Sequence, residues 1–441
     1  MSAHSITSRG LAGRKIPQGT LTPIGALLFA ASEPGAWYDP SDTSTLFQDS
    51  AGATPVTAVE QQVGRMLDKS GRGNHATQVT ATKRPVYSRR VNMFQNTEFS
   101  LGFSGYPIRD GAIGLTSMGG YGGAVSFGNT TSSYVYTDMT FIAGAKYVIS
   151  AVVEMDDGLP PQFNSENPSS DLVDFAFVHG GNAESPKKIT ATHLDGSRYM
   201  VSMPITTVNA GGNTGIVKYD SNSARTFKVT AYSLVRASDA SLPYQRVTTA
   251  TDYDADPAKF PAYLRFDGVD DGLQTENIDF TGTDKMTAWA GVTKLSDAVR
   301  SCVVEFGNGS VDTSSIMYLN APGWTPSTDK FSFAAVATAA GASVATATGS
   351  DLDAPINTVV CGFYTPGETS KLRINSVQRA AAGTANPAGN FVSRPLFIGA
   401  RAGTSLYFNG RLYSLIVRGA QTPLSQIEAT ELYIKQKMRM P

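Results

Sequence analysis

The chain has 441 residues, and 36 Lys+Arg against 37 Asp+Glu leave a net charge of -1, which excludes bulk electrostatic attraction to nucleic acid or an anionic membrane. Only 17% of residues are charged, below the roughly 25% usual for soluble domains, while 43 Gly and 23 Pro suit many short strands joined by turns. Two cysteines, Cys302 and Cys361, make no disulfide framework, and His4, His75, His179 and His193 complete no zinc-ligand spacing, so both thiols read as buried and reduced.

Residues 1–23 read as an extended arm: Arg9, Arg14 and Lys15 lie there, and no acidic residue precedes Glu33. The apolar stretch Ile24 to Ala31 is too short and too glycine-broken to span a bilayer or serve as a secretory signal, so the start at Met1 reads as cytosolic in origin. From Trp37 the chain is turn-dense, with "WYDPSD", "DSAGATP" and "DKSGRGNHATQ" separating short apolar pieces such as Val63 to Leu67. Further on, Tyr147 to Val153, Tyr199 to Ile205 and Phe227 to Arg236 carry the β-branched and aromatic runs of strands. In the last of these, alternation puts Phe227, Val229, Ala231 and Val235 on one face and Lys228, Thr230 and Arg236 on the other, the pattern of a half-buried antiparallel strand.

The final third adds strands at Tyr263 to Phe266, Met286 to Val292, Cys302 to Phe306, Lys330 to Val336, Thr358 to Tyr364, Lys371 to Ile374, Leu396 to Ala400 and Arg411 to Arg418. One helix is predicted at the end, with Thr422 as its cap, Pro423 at its first position, and Leu424, Ile427, Leu432, Ile434 and Met438 as the stripe that packs on a sheet. The fold class is all-β: two antiparallel β-sandwich (jelly-roll) domains, a C-terminal helix and an extended N-terminal arm.

Ala36 to Pro85 ("AWYDPSDTSTLFQDSAGATPV…LDKSGRGNHATQVTATKRP") resembles the opening of laminin-G-like, concanavalin-type sandwich domains that recur in bacteriophage virion proteins. "LRFDGVDDGL" (Leu264 to Leu273) is similar to that family's next strand, and Arg394 to Ile427 resembles its last strands and final helix. The opening and its continuation, usually adjacent, are separated here by residues 91–255. The middle is therefore read as a domain inserted into a surface loop of the first, which succeeds where the inserted termini lie close together. Its pieces "VNMFQNTEFSLGF", "FIAGAKYVISAVVEM", "DGSRYMVSMPI" and "RTFKVTAYSLVRASDASLPYQRVTTATDYD" resemble carbohydrate-binding-module-like jelly rolls of phage appendages. The expected organisation is an arm over 1–25, a discontinuous sandwich over 26–90 plus 256–441, and an inserted jelly roll over 91–255.

Chemistry has few candidates. Paired glycanase carboxylates in the pattern Glu-x-Asp-x-x-Glu are approached only at "EMDDGL", where Glu154 and Asp156 are present and Leu159 stands in the third place. No Gly-x-Ser-x-Gly elbow accompanies His179 or His193, His75 belongs to the "GRGNHATQ" turn, and the Gly119 to Gly123 loop lacks a phosphate-binding continuation, so no enzymatic activity is expected. Asp39 and Asp42 in "WYDPSD", and Asp267, Asp270 and Asp271 in "FDGVDDG", are hard oxygen donors, and related sandwich domains hold calcium at a rim; turn capping is the alternative reading. Aromatic rings that could stack on a pyranose are Tyr134 and Tyr136, which share a strand face, Tyr121 in the glycine loop, and Trp324 in "APGWTPS", with packing as the alternative for each; Trp289 reads as core.

The resemblance implies a structural virion protein of a tailed bacteriophage: a tail or head fibre, collar or decoration subunit, made in the host cytoplasm, that displays sandwich modules to host-surface glycans. Its implied partners are other virion proteins, through the arm residues Arg9, Arg14 and Lys15, host polysaccharide, and further copies of itself. No heptad repeat supports a coiled coil, which leaves lateral packing of sandwiches as the route to a homo-oligomer. The alternatives are a purely architectural subunit and a capsule-degrading hydrolase.

Overall fold

In the computed structural model the described residues are 24–128, 132–141, 143–163, 174–179, 189–218, 224–237, 240, 244–249, 261–308, 315–338 and 343–440. The arm residues Arg9, Arg14 and Lys15 lie outside them. Among the described residues the strands form antiparallel sheets in two sets, joined by turns and a few 3-10 turns, with one short helix at Ile24–Leu28 and a longer one at Leu424–Met438.

The outer segments make the first set. An eight-stranded sheet runs in the order Val377–Ala385, Thr369–Ile374, Ile356–Tyr364, Met286–Lys294, Asn409–Arg418, Ala262–Asp267 and Val86–Arg89, with Gly35–Tyr38 also paired to Asn409–Arg418. A nine-stranded sheet runs from Leu46–Phe47 through Arg65–Met66, Ala76–Thr77, Leu273–Thr275 and Leu396–Ile398 to Cys302–Phe306, Ile316–Asn320, Phe331–Val336 and Ser343–Ala347. One apolar cluster joins their facing sides, with Leu264, Ala288 and Leu415 from the first sheet meeting Phe306, Leu319 and Phe333 from the second. Cys361 and Cys302 are buried free thiols, and burial pushes both well above the usual thiol range.

The middle segment makes the second set. A six-stranded sheet has the order Thr190–Asp195, Arg198–Thr206, Lys146–Met155, Phe227–Arg236, Ala124–Phe127 and Ile113–Thr116, and a four-stranded sheet the order Ala176–His179, Gly211–Lys218, Ser133–Thr140 and Ile108–Asp110. Their shared core is a separate cluster that includes Phe94, Phe127, Val135, Ile149, Ile216 and Phe227. The segment leaves and returns at one place: Arg89 and Ala262 are register partners, and Arg90 N–H donates to Pro261 O at 2.9 Å. Its own ends also run side by side, with Asn96 and Thr97 N–H groups on the carbonyls of Thr248 and Val247.

Two sequence expectations change. In Phe227–Arg236 a bulge lies opposite Ser150 to Val152, and Ala231 adopts φ 52°. The extra residue reverses the alternation beyond Val229, so Tyr232 and Leu234, not Ala231 and Val235, join Phe227 and Val229 in the core. The opposite face is covered as well: Ala231 packs with Met118, Ala124 and Val152, and the Thr230 hydroxyl donates to Gly123 O at 2.6 Å. At the C-terminus the helix spans Leu424–Met438, with Pro423 in the cap position. Thr422 is instead buried beside Arg418, whose guanidinium donates to its hydroxyl at 2.9 Å. The buried face is Ile427, Thr430, Glu431, Ile434 and Met438, while Leu424 and Leu432 are exposed at 54% and 48%. At 100° per residue Leu432 lies too far round from Ile427 and Ile434 to reach the sheet, and Glu431 occupies the face because Arg373 meets it at 2.8 Å. Gly291 permits this close docking, since a Cβ there would stand 2.5 Å from Ile434 and 2.8 Å from Met438.

The turn "DKSGRGNHATQ" is organised by one buried carboxylate. Asp68 accepts the backbone N–H groups of Trp37, Ser70 and Asn74 at 2.9, 2.8 and 3.0 Å and the Ser70 hydroxyl at 2.7 Å. The Asp68 N–H in turn donates to His75 Nδ1 at 3.0 Å, which gives that histidine a structural place. Asp68→Ala strands three backbone donors and is expected to lower stability by about 3 kcal/mol, read as a shift of the denaturation midpoint without a change in slope. Replacing residues 91–260 by a short glycine-rich linker is expected to leave a cooperatively unfolding protein with the β-type circular dichroism of the outer sheets; a chain without a transition would show that the outer strands need the middle ones.

Candidate functional site

Alternation along Ser133–Thr140 sends Ser133 and Val135 inward and leaves Tyr134, Tyr136 and Asp138 on the outer face of the four-stranded sheet. The two tyrosine rings stack with centroids 4.9 Å apart and planes inclined by 28°. Tyr136 lies between Ile108 on one neighbouring strand and Gly215 on the other, and Tyr134 between Asp110 and Val217. Gly215 is required there: a Cβ would meet Val135 O at 2.2 Å and Tyr136 Cβ at 2.5 Å. The result is a half-buried double ring beside a side-chain-free position, with Asp138 opposite Asn213 and with Asp110 as flanking polar groups. Such a surface offers apolar faces to a pyranose and hydrogen-bond partners to its hydroxyls.

The structure does not bring Tyr121 to this shelf. Its ring packs with Met200 and Tyr244 over the outer face of the six-stranded sheet, and burial raises its hydroxyl above the usual tyrosine range. The glycine loop around it is tied down by Glu98, which accepts the Gly122 N–H at 2.7 Å and pairs with Arg246 at 3.3 Å. Trp324 stands on the outer sandwich, 63% exposed, with the Arg300 guanidinium 4.0 Å from its ring centroid. Trp289 is fully buried. Arg300 was not foreseeable as a partner of Trp324, because the two come together only when strands Cys302–Phe306 and Ile316–Asn320 pair.

The carboxylates divide into paired and unpaired sets. Asp39 is 1% exposed; burial opposes its charge, but the Lys437 ammonium at 3.0 Å, the Ser41 hydroxyl and Lys69 at 3.3 Å outweigh this and hold it below the usual carboxylate range. Asp42 meets Lys69 at 2.7 Å. These two aspartates face ammonium groups, so the calcium expectation there does not fit the site. Glu154 accepts from Lys228 at 2.6 Å, Asp156 accepts the Thr226 hydroxyl at 2.6 Å, and Leu159 is 60% exposed. Arg225 spans Asp157 and the buried Asp174, at 2.6 and 2.7 Å. His193 sits on the exposed edge strand Thr190–Asp195 with its ring against Tyr199 and its Nε2 2.9 Å from Gly196 O; the side chain of His179 lies outside the described residues.

Asp267, Asp270 and Asp271 differ: one oxygen from each lies within 4.8 Å of the others. Asp267 Oδ1 accepts the Val269 and Asp270 N–H groups at 2.8 and 3.2 Å, and Asp271 Oδ2 accepts the Asp267 N–H at 3.0 Å. The donors suit a hard cation in kind but supply three of the six to eight oxygens that calcium takes. Burial, reinforced by the Asp267 charge, pushes Asp271 up to about 7.

No protein-family model and no curated protein matches the chain. Among solved structures it is similar to the CBM40 of Ruminococcus gnavus IT-sialidase bound to α2,3-sialyllactose (14% identity, TM-score 0.27, covering 36% of this chain and 98% of that one). It is also similar to the heptameric SAP-like pentraxin of Limulus polyphemus (9% identity, TM-score 0.30, 37% and 79%). A third is domain 4 of AbnA, a GH43 extracellular arabinanase of Geobacillus stearothermophilus, in complex with arabinotriose (12% identity, TM-score 0.28, 38% and 74%).

Because Asp271 titrates near 7 when folded and near the ordinary 3.8 when unfolded, the folded chain holds a proton that the unfolded chain releases, and stability falls as pH rises between those values. Asp271→Asn is therefore expected to raise the melting temperature at pH 8 more than at pH 4. Parallel melting curves for variant and parent across that range would contradict the assignment.

Proposed function

We propose that the chain is a non-enzymatic structural subunit of a tailed-bacteriophage particle, a fibre, collar or decoration protein, that presents its sandwiches to glycans of the host surface. The particle assignment rests on the likeness of Ala36 to Pro85, Leu264 to Leu273 and Arg394 to Ile427 to sandwich domains of virion proteins. The basic arm would dock the subunit, and copies would associate through their sandwiches.

Glycan binding rests on one observation, the stacked Tyr134–Tyr136 pair held beside Gly215 on an outer sheet face. Two rings of this size give a shallow, weak site. Display of many copies makes it effective, because each contact after the first is intramolecular. A hydrolytic reading is disfavoured by Glu154, whose carboxylate is engaged by the Lys228 ammonium, which is itself held above the usual lysine range by that hydrogen bond.

The test is binding of the full chain to an array of neutral bacterial capsule and O-antigen polysaccharides, with viscometry on any polymer it retains. Binding is expected to weaken about tenfold in the double variant Tyr134→Ala, Tyr136→Ala at unchanged melting temperature, with viscosity constant. Retention by the double variant equal to the parent overturns the shelf. A falling viscosity overturns the non-enzymatic reading, and no retained glycan at all favours a purely architectural subunit.

A further inference from the structure

Of the three tryptophans, Trp37 and Trp289 are buried and Trp324 is 63% exposed. Its loop is fixed before any ligand arrives. Gly323 N–H donates to Asp329 O at 2.7 Å, Thr325 N–H to Asp329 Oδ2 at 2.8 Å, and Thr328 N–H to Thr325 O at 2.9 Å. The ring is held up on one side by Arg300, whose guanidinium lies 4.0 Å from the Trp324 centroid and 5.3 Å from that of Tyr318.

Arg300 lacks the acid that such a stack ordinarily carries. Its Nε is buried without a hydrogen-bond partner, and among the described residues no carboxylate stands within ion-pair distance of it. The nearby acid is Glu305, the register partner of Tyr318 and 1% exposed. Its carboxylate accepts the Ala402 N–H at 2.7 Å and faces Arg401 Nε at 3.6 Å; burial raises it above the usual carboxylate range, and the charges of both Arg401 and Arg300 oppose that rise. Two guanidinium groups, Arg300 and Arg401, thus share one buried carboxylate, which leaves a partly desolvated excess of positive charge beside an open aromatic face. Two residues beyond Tyr318 on the same strand, Asn320 adds a buried Oδ1 with no partner.

We propose that this place on the nine-stranded sheet binds a carboxylate-bearing sugar along the edge of the Trp324–Arg300 stack, its ring against the rim of Trp324 and its carboxylate on the Arg300 guanidinium. A free anion has no use for the exposed ring, and a neutral sugar leaves the excess positive charge in place; a sugar acid satisfies both, since the planar guanidinium matches a carboxylate bidentately. The inference shares with the proposed function the premise that the chain binds glycans, but it uses none of the residues of the Tyr134–Tyr136 shelf.

The test uses the full chain and two probes, a galacturonic-acid tetrasaccharide and its methyl ester, followed by calorimetry. The acid is expected to bind about tenfold or more tightly than the ester, with a loss of that size in Arg300→Gln and in Trp324→Ala, and partial retention in Trp324→Phe. Melting temperatures of the variants check that the fold is kept, and Arg300→Lys, which keeps the charge but not the fork, is expected to lose most of the preference for the acid. Equal binding of acid and ester, unaltered binding in Arg300→Gln, or no binding of the acid at millimolar concentration overturns the proposal. Each of those results leaves neutral-glycan binding at Tyr134 and Tyr136 as it was, and failure of that shelf leaves the uronate result as it was.

Discussion

Everything in this architecture depends on the antiparallel pairing of Val86–Arg89 with Ala262–Asp267. These strands are adjacent in space although residues 90–261 separate them in the chain, and Ala262–Asp267 in turn pairs with Asn409–Arg418 near the other end of the sequence. The first sheet is therefore closed by contacts of long sequence separation, whose loop-closure entropy must be met before they reward folding. The middle segment eases that cost by bringing its own ends together, through the backbone bonds of Asn96 and Thr97 to Thr248 and Val247. A long excursion between two paired strands thus acts as a short connection.

The outer sandwich spends its buried charges on the same task of fixing distant pieces of chain. Asp68 ties the 68–75 turn to the strand Gly35–Tyr38, and Asp39 gathers Lys69 and, from the C-terminal helix, Lys437 and Tyr433. Arg373 and Glu431 join the helix to the sheet it covers, and Arg418 reaches Leu28 O and Glu33. Each is a buried charge with complete partners, the arrangement in which removal of one partner is costly. Two groups are held differently: Asp271, which burial pushes up to about 7, and Arg300, which stacks on Trp324 and shares the Glu305 carboxylate with Arg401. In the middle segment the corresponding outlier is apolar, two tyrosine rings left on an outer sheet face.

Strands were legible from local composition because β-branched and aromatic runs bounded by Gly, Asn and Pro have few other uses, and Cys302–Phe306 and Phe227–Arg236 fall where that pattern puts them. Facing was less legible. One bulge at Ala231 reversed the second half of a strand, and burial of its other face by the glycine loop is set by residues more than a hundred positions earlier. In the helix, apolarity alone misassigned Leu432 and missed Glu431, because a buried acid is recognisable only once Arg373 is known to lie opposite. The shared face of Tyr134 and Tyr136 followed from period two, whereas Gly215 beside them and Arg300 beneath Trp324 arise from pairings between strands that no short window of sequence contains.

The most direct measure of the central claim, that an outer sheet face of the middle segment is a glycan surface, is amide hydrogen exchange on the full chain with and without a saturating neutral oligosaccharide. Bound sugar is expected to slow exchange only in Ile108–Asp110, Ser133–Thr140 and Gly211–Lys218, the strands that carry the tyrosine shelf and its flanks. Slowed exchange confined to other strands, or none under conditions where the sugar is bound, would contradict it.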